Sequence, residues 1–247
     1  MPETRLRFDI QPGQTTVTSE LAIERRSEGD LVLNGADLEL LSLGIDGRQL
    51  GGNEYRIDGE TLTLFDVPER CTLSVITRIH PETNTALEGL YRSRSMYCTQ
   101  CEAEGFRKIT WFPDRPDVLS RYTTTIEADA ATCPVLLAGG NLLEEREHDG
   151  RRTVTWQDPF PKPSYLFALV AGDLALLEDE FVTMSGRHVV LRIYSEPHNI
   201  DQCGYAMGAL KRAMRWDEER FGREYDLDNF MIVAVEDFNM GAMENKG

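Results

Sequence analysis

Alternation is the feature that most restricts this chain. Through its first eighty residues, apolar side chains recur between polar neighbours. Leu6, Phe8 and Ile10 come first, then Val17, Leu21 and Ile23, then Leu73, Val75 and Ile79. A period of two turns one face of an extended strand toward a core and the other toward water, a pattern that no helix presents to a single layer. Asp46-Gly47 and Asp58-Gly59 are turn dipeptides. The second separates Tyr55-Arg56-Ile57 from Leu62-Thr63-Leu64 and predicts a hairpin. Short strands with a turn about every ten residues read as a β-sandwich or saddle. No repeat, low-complexity segment or strong helix interrupts them.

From Asn84 to Val118 the character changes. Leu87-Glu88-Gly89-Leu90-Tyr91 leads to Cys98-Thr99-Gln100-Cys101-Glu102-Ala103-Glu104-Gly105-Phe106-Arg107, then to Trp111-Phe112-Pro113-Asp114. Aromatics, glycine, proline and charges in one run predict a long ordered loop laid on the sheet. Strands resume at Tyr122 to Ile126, Val135 to Leu137, and Arg152 to Trp156 after the turn at Asp149-Gly150. Asp158-Pro159-Phe160-Pro161-Lys162-Pro163 reads as a rigid connector, since each proline fixes its own φ and keeps its predecessor extended. Tyr165 to Val170 reads as a further strand. A domain boundary is expected near residue 174.

Beyond it the period changes. Arg187 to Tyr194 reads as a strand and Asp201 as a helix N-cap. Cys203, Met207, Leu210 and Met214 form the apolar stripe of a helix that ends near Gly222. Phe230-Met231-Ile232-Val233-Ala234-Val235 is unbroken and apolar, as in a buried strand. Strand, helix, strand is the opening of an α/β unit.

Charge removes one class of partner. The chain has 247 residues, 42 acidic against 26 basic, for a formal net charge of -16. Phosphate backbones need a basic footprint, so nucleic acid is excluded as a partner. No apolar run approaches membrane-spanning length, so no membrane partner is expected, and Met1-Pro2-Glu3-Thr4-Arg5 leads into no apolar signal core. Five scattered cysteines, at 71, 98, 101, 133 and 203, are unlike a secreted disulfide framework. A reduced, cytoplasmic protein is the expectation. Cys98-x-x-Cys101 does not open a helix after a strand, as a redox pair would, and has no second pair to complete a structural zinc site.

The last stretch carries the chemistry. After the strand at Phe230 come Met240-Gly241-Ala242-Met243-Glu244-Asn245. Small residues there let another backbone approach, and a carboxylate at that point can hold a cation. Alone, such a run is an ordinary acidic loop. As a string, Gly241 to Asn245 resembles the exopeptidase motif of the zinc aminopeptidases, the aminopeptidase N family. Gln100-Cys101-Glu102-Ala103-Glu104-Gly105-Phe106 resembles the loop that supplies a second amine-binding carboxylate in the bacterial branch. The stretches Trp156 to Pro163 and Trp216 to Gly222 are also close to that branch. Ala242 stands where the epoxide-hydrolysing relatives carry Gly.

The resemblance covers nearly the whole chain and implies the following. The fold is mainly β: an N-terminal β-sandwich or saddle domain over 1–174, then the first β-α-β part of a thermolysin-like catalytic domain over 175–247. Glu102 and Glu244, from the two domains, grip the free α-amine of a peptide substrate. Gly241 to Asn245 form the backbone platform, Gln100 lines the pocket for the first side chain, and Met240 forms its floor. Such an enzyme needs zinc on a His-Glu-x-x-His helix. The four histidines here, 80, 148, 188 and 198, are not so spaced. Zinc is therefore expected in the complete enzyme, held by the rest of the same polypeptide. This chain is expected to hold neither metal nor catalytic residue and to be inactive alone. A β-sandwich module that binds peptides or proteins without chemistry is the alternative.

Overall fold

The computed structural model describes residues 1–246, which form a mainly β protein in two compact units. The first comprises residues 1–172 together with 239–246, and the second comprises residues 173–238. The segment 239–246 thus packs with the first unit, whereas the linear reading grouped it with 175–238. The reason is a set of tethers described below.

The alternation of the first eighty residues becomes burial of alternate side chains. In Glu3–Gln11, Thr4, Leu6, Phe8 and Ile10 turn inward, and in Gln14–Glu24 the same holds for Thr15, Val17, Ser19, Leu21 and Ile23. These strands lie in an eight-stranded sheet. Its order is Asn141–His148, Arg151–Lys162, Ser120–Asp129, Glu3–Gln11, Gln14–Glu24, Arg70–Ile79, Glu39–Ile45 and Arg48–Gln49. Neighbours are antiparallel except Glu3–Gln11 and Ser120–Asp129, which run parallel. At Asp46-Gly47 both residues have positive φ, +50° and +80°, as a two-residue hairpin turn of the right twist demands. The expected hairpin across Asp58-Gly59 joins Tyr55–Asp58 to Thr61–Leu64 in a three-stranded sheet with Leu31–Asn34.

The stretch expected as one long loop holds a hairpin. Gly89–Ser93 and Met96–Gln100 pair antiparallel and extend a four-stranded sheet through Leu169–Gly172 to Val135–Ala138. Both strands are buried on both faces, so no alternation announces them. The Asp158–Pro163 connector is likewise the end of a strand, Arg151–Lys162. Its outer neighbour pairs only as far as Gln157, so Pro159 and Pro161 have no ladder donor to supply on that side. Tyr165 and Leu166 lie in a short 3-10 turn, and the strand begins at Leu169.

The second unit is a three-stranded sheet with one helix. Ala175–Val182, a strand the sequence did not suggest, pairs antiparallel with His188–Ser195, which pairs parallel with Asn229–Val233. The helix Gly204–Phe221 makes the crossover and buries Cys203, Met207, Leu210 and Met214 against Phe181, Val189, Leu191 and Ile193. A 3-10 segment, Pro197–Gln202, precedes it, so Asp201 is not the cap: Cys203 occupies that position without a side-chain bond. Gly222, at φ +62°, closes the other end by donating its N–H to Glu218 O. Asn229–Val233 is half-buried rather than buried, because among the described residues it has a strand on one side only. No helix is long and apolar enough to cross a membrane among the described residues.

Candidate functional site

The loop that carries Glu102 is built from the core outward. Gln100 ends the strand Met96–Gln100, and the Gly105 N–H donates to Cys101 O at 2.8 Å, closing a turn around Glu102. A Cβ on Gly105 would stand 2.4 Å from Gln100 O and 3.0 Å from Gly89 N, so only glycine allows the turn to fold back so closely. The next residue, Phe106, is fully buried and meets Phe112 and Phe167 edge-on, with centroids 4.7 and 5.3 Å away. Arg107 donates its backbone N–H and its Nε to Asp114 Oδ2 at 3.1 and 3.2 Å, and Asp114 Oδ1 accepts from Ser164 Oγ at 2.5 Å. A buried carboxylate so fully bonded fixes both arms of the loop. Glu102 itself stays half-buried.

Cys98 and Cys101 are both buried, and neither is in a disulfide. Burial pushes the Cys101 thiol well up, and the Asp114 carboxylate adds to the effect, so the reactive thiolate is suppressed.

The segment 239–246 is fastened quite differently. Asn239 Nδ2 donates to Ala86 O and Leu87 O at 3.0 and 3.3 Å, and Gln100 Nε2 points to Met240 Sδ at 3.0 Å. At the other end Asn245 Nδ2 donates to Phe167 O at 3.3 Å and Lys162 Nζ to Lys246 O at 3.2 Å. Between these ties Gly241, Ala242 and Glu244 are exposed and Met243 is half-buried. A Cβ on Gly241 would meet nothing within 4 Å. The result is a short irregular run pinned at both ends and bare in the middle.

Several residues picked from the sequence therefore come together. Gln100 and Met240, 140 positions apart, touch. Glu102 and Glu244 lie in the same compact unit. Gln100 is buried, and its Oε1 has no hydrogen-bond partner among the described residues. A buried acceptor left so suits a ligand that carries N–H donors.

Beneath the segment lies a charge that sequence reasoning passed over. The Lys162 side chain is 4% exposed and pairs with Asp158 Oδ2, itself fully buried, at 3.0 Å. The ammonium also stands over the Tyr122 ring, 5.5 Å from its centroid. Burial draws the Lys162 pKa down, and Asp158 opposes that shift. Nothing in the run Phe160-Pro161-Lys162-Pro163 signals a buried lysine; the only cue is an aspartate four residues before it.

Three of the histidines have other neighbours. His80 Nδ1 is 2.9 Å from Gly13 O, His148 lies beside Asp149 and His188 beside Glu180. Among the described residues His198 alone joins a group of donors: with Glu196 and Glu236 it places three ligand atoms within 4.8 Å of one another. No sequence spacing announces this trio. Both ring nitrogens already face carboxylates, Nε2 at 2.8 Å from Glu236 and Nδ1 at 3.7 Å from Glu196, and Asn199 Nδ2 bonds to Glu236 as well. That set is satisfied by its own members and does not fit a hydrolytic zinc centre of two histidines and an open position.

The chain is similar to known proteins along nearly its whole length. Residues 2–166 match the peptidase M1 N-terminal domain, and residues 205–247 match the peptidase family M1 domain. The chain is 57% identical to aminopeptidase N of Caulobacter vibrioides over 99% of its length and 53% identical to aminopeptidase N of Escherichia coli over 98%. It spans 28% of the length of each of those relatives. Among solved structures, aminopeptidase A of Legionella pneumophila, determined with aspartic acid, superposes with a TM-score of 0.92 at 34% identity, over 97% of this chain and 29% of that one. An M1 zinc metallopeptidase of Deinococcus radiodurans, at 18% identity and a TM-score of 0.78, shares the fold over 94% of this chain and 55% of its own. On these matches the chain belongs to peptidase family M1, and over nearly its whole length it is similar to a portion of the bacterial aminopeptidases N.

Proposed function

We propose that this chain is the amine-gripping part of a cytoplasmic zinc metallo-aminopeptidase, which removes amino-terminal residues from peptides. Glu102 and Glu244 accept hydrogen bonds from the substrate's free α-ammonium. Gly241 to Asn245 present a backbone platform along the peptide, and Gln100 and Met240 border the pocket for its first side chain. The region from residue 175 opens a thermolysin-like catalytic domain. Zinc, the water-activating carboxylate and the zinc-binding histidines belong to the remainder of the polypeptide, so this portion alone grips without cleaving. When bound, the metal polarises the scissile carbonyl and supplies activated water.

The observation that carries the reading is the contact of Gln100 with Met240, which joins the Glu102 loop to the exopeptidase-like segment. A free ammonium has three donors and no acceptor, and carboxylates are acceptors only, so the match is complementary. Each charge-assisted bond is worth about 1.5–3 kcal/mol, or about a 10- to 100-fold effect on binding. A blocked amino terminus would leave both carboxylates facing an uncharged group, which is the selection rule of an exopeptidase.

The test is Glu102→Ala and Glu244→Ala in the complete enzyme, assayed on an aminoacyl anilide. Each is expected to lower kcat/KM about 10- to 100-fold, mainly through KM. Unchanged kinetics for both would sink the assignment.

A further inference from the structure

Lys162 connects the two halves of the site. On one side its ammonium donates to Lys246 O at 3.2 Å, two residues beyond Glu244. On the other it stands 5.5 Å from the centroid of the Tyr122 ring, which packs against Phe106 of the Glu102 loop with centroids 6.1 Å apart. A lysine at this depth loses its hydration, and an apolar pair of similar volume would be no less stable, so stability does not explain it. What an ammonium offers and a methionine does not is a directed bond to a carbonyl.

Its surroundings fix where that bond points. Asp158 Oδ1 accepts from the Phe160 N–H at 3.0 Å, which holds the carboxylate still, while Oδ2 faces Lys162 at 3.0 Å. The Tyr122 ring covers the ammonium from another direction. Gly139 provides the room: a Cβ there would stand 2.5 Å from Lys246 O and 2.8 Å from Lys162 Nζ. Any larger residue would press on the lysine and its acceptor together.

We propose that Lys162, oriented by Asp158 and admitted by Gly139, is a positioning residue that sets the Glu244-bearing segment in register with the Glu102 loop. It touches no substrate; it acts through the Lys246 carbonyl. The proposal rests on the reading of Glu102 and Glu244 as amine anchors, and the test separates the two.

Three variants of the complete enzyme are compared: Lys162→Met with Asp158→Leu, so that no buried carboxylate is left unpaired; Gly139→Ala; and Glu244→Gln. The readouts are amide hydrogen exchange along residues 241–246, and KM and kcat on an aminoacyl anilide. For the first two variants, exchange over 241–246 should quicken at least about tenfold while residues 151–157 keep their protection. KM should rise about tenfold, with a smaller fall in kcat. A merely structural role would lower Tm and the active fraction and leave KM and local exchange unchanged, and that result overturns the proposal. If Glu244→Gln raises KM and the lysine variant does not, the positioning role fails and the amine reading stands. If Glu244→Gln is silent, the amine reading fails and exchange alone decides whether Lys162 holds the segment. Should the double variant not fold, Gly139→Ala decides by the same readouts.

Discussion

Two segments bring carboxylates to the candidate site, and they are held by opposite means. The Glu102 loop is a continuation of the core: Phe106 is fully buried, Asp114 is bonded on both oxygens, and Gly105 fits where no side chain could. The 239–246 segment has no such anchor. Met240 is 43% exposed, and what holds the run is a handful of side-chain bonds to carbonyls at its two ends. The loop of the first carboxylate is therefore tied into the core, and the segment of the second is tied only at its two ends. Local stability follows buried apolar contact, so the two should open with very different free energies.

Substitutions can break that comparison. The largest effect is expected from Phe106→Ala, which removes a ring packed among Phe112, Tyr122 and Phe167. A loss of about 3–5 kcal/mol in chemical denaturation is expected. A loss below about 1 kcal/mol would mean that the loop is not locked by the core. Next is Asp114→Ala, which takes the carboxylate from the Arg107 Nε and the Ser164 hydroxyl, although Glu104 still pairs with the guanidinium. About 3 kcal/mol is expected, with faster exchange at residues 102–108, since breaking a buried pair leaves its partner less compensated. The smallest is Asn245→Ala. Removing one bond to the Phe167 carbonyl should cost about 1 kcal/mol or less. It should quicken exchange in 241–246 without moving the global unfolding midpoint; a shifted midpoint would show that the segment is part of the core after all.

What was legible in the sequence follows the same division between local and distant causes. The strands of the first eighty residues and the turns at Asp46-Gly47 and Asp149-Gly150 were readable, because alternation and positive φ are properties of neighbours. The helix stripe at Cys203, Met207, Leu210 and Met214 was readable for the same reason. Gly89–Ser93 and Met96–Gln100 were not, since a strand buried on both faces has no period to detect. Ala175–Val182 escaped because only part of it is covered, and its Glu178-Asp179-Glu180 run reads as a solvated turn. At the site, Glu102, Glu244, Gln100 and Met240 stood inside recognisable strings. Their supports did not. Lys162 serves a carbonyl 84 positions later, and Asn239 reaches back 153, distances over which a side chain's identity says nothing about its partner.

The parallel pairing of Glu3–Gln11 with Ser120–Asp129 has a consequence for how the chain is made. Thr4 and Ser120, 116 residues apart, meet through buried hydroxyls 2.8 Å apart in the middle of the widest sheet. On a ribosome, the first strand emerges and pairs with its hairpin partner long before that neighbour exists. Its other edge, with unpaired amides and carbonyls, stays open through most of the synthesis of the unit. Closing so long a loop makes the final pairing late and slow. The charges at Glu3, Arg5, Arg7 and Asp9 along the waiting strand disfavour its pairing with another copy in that interval.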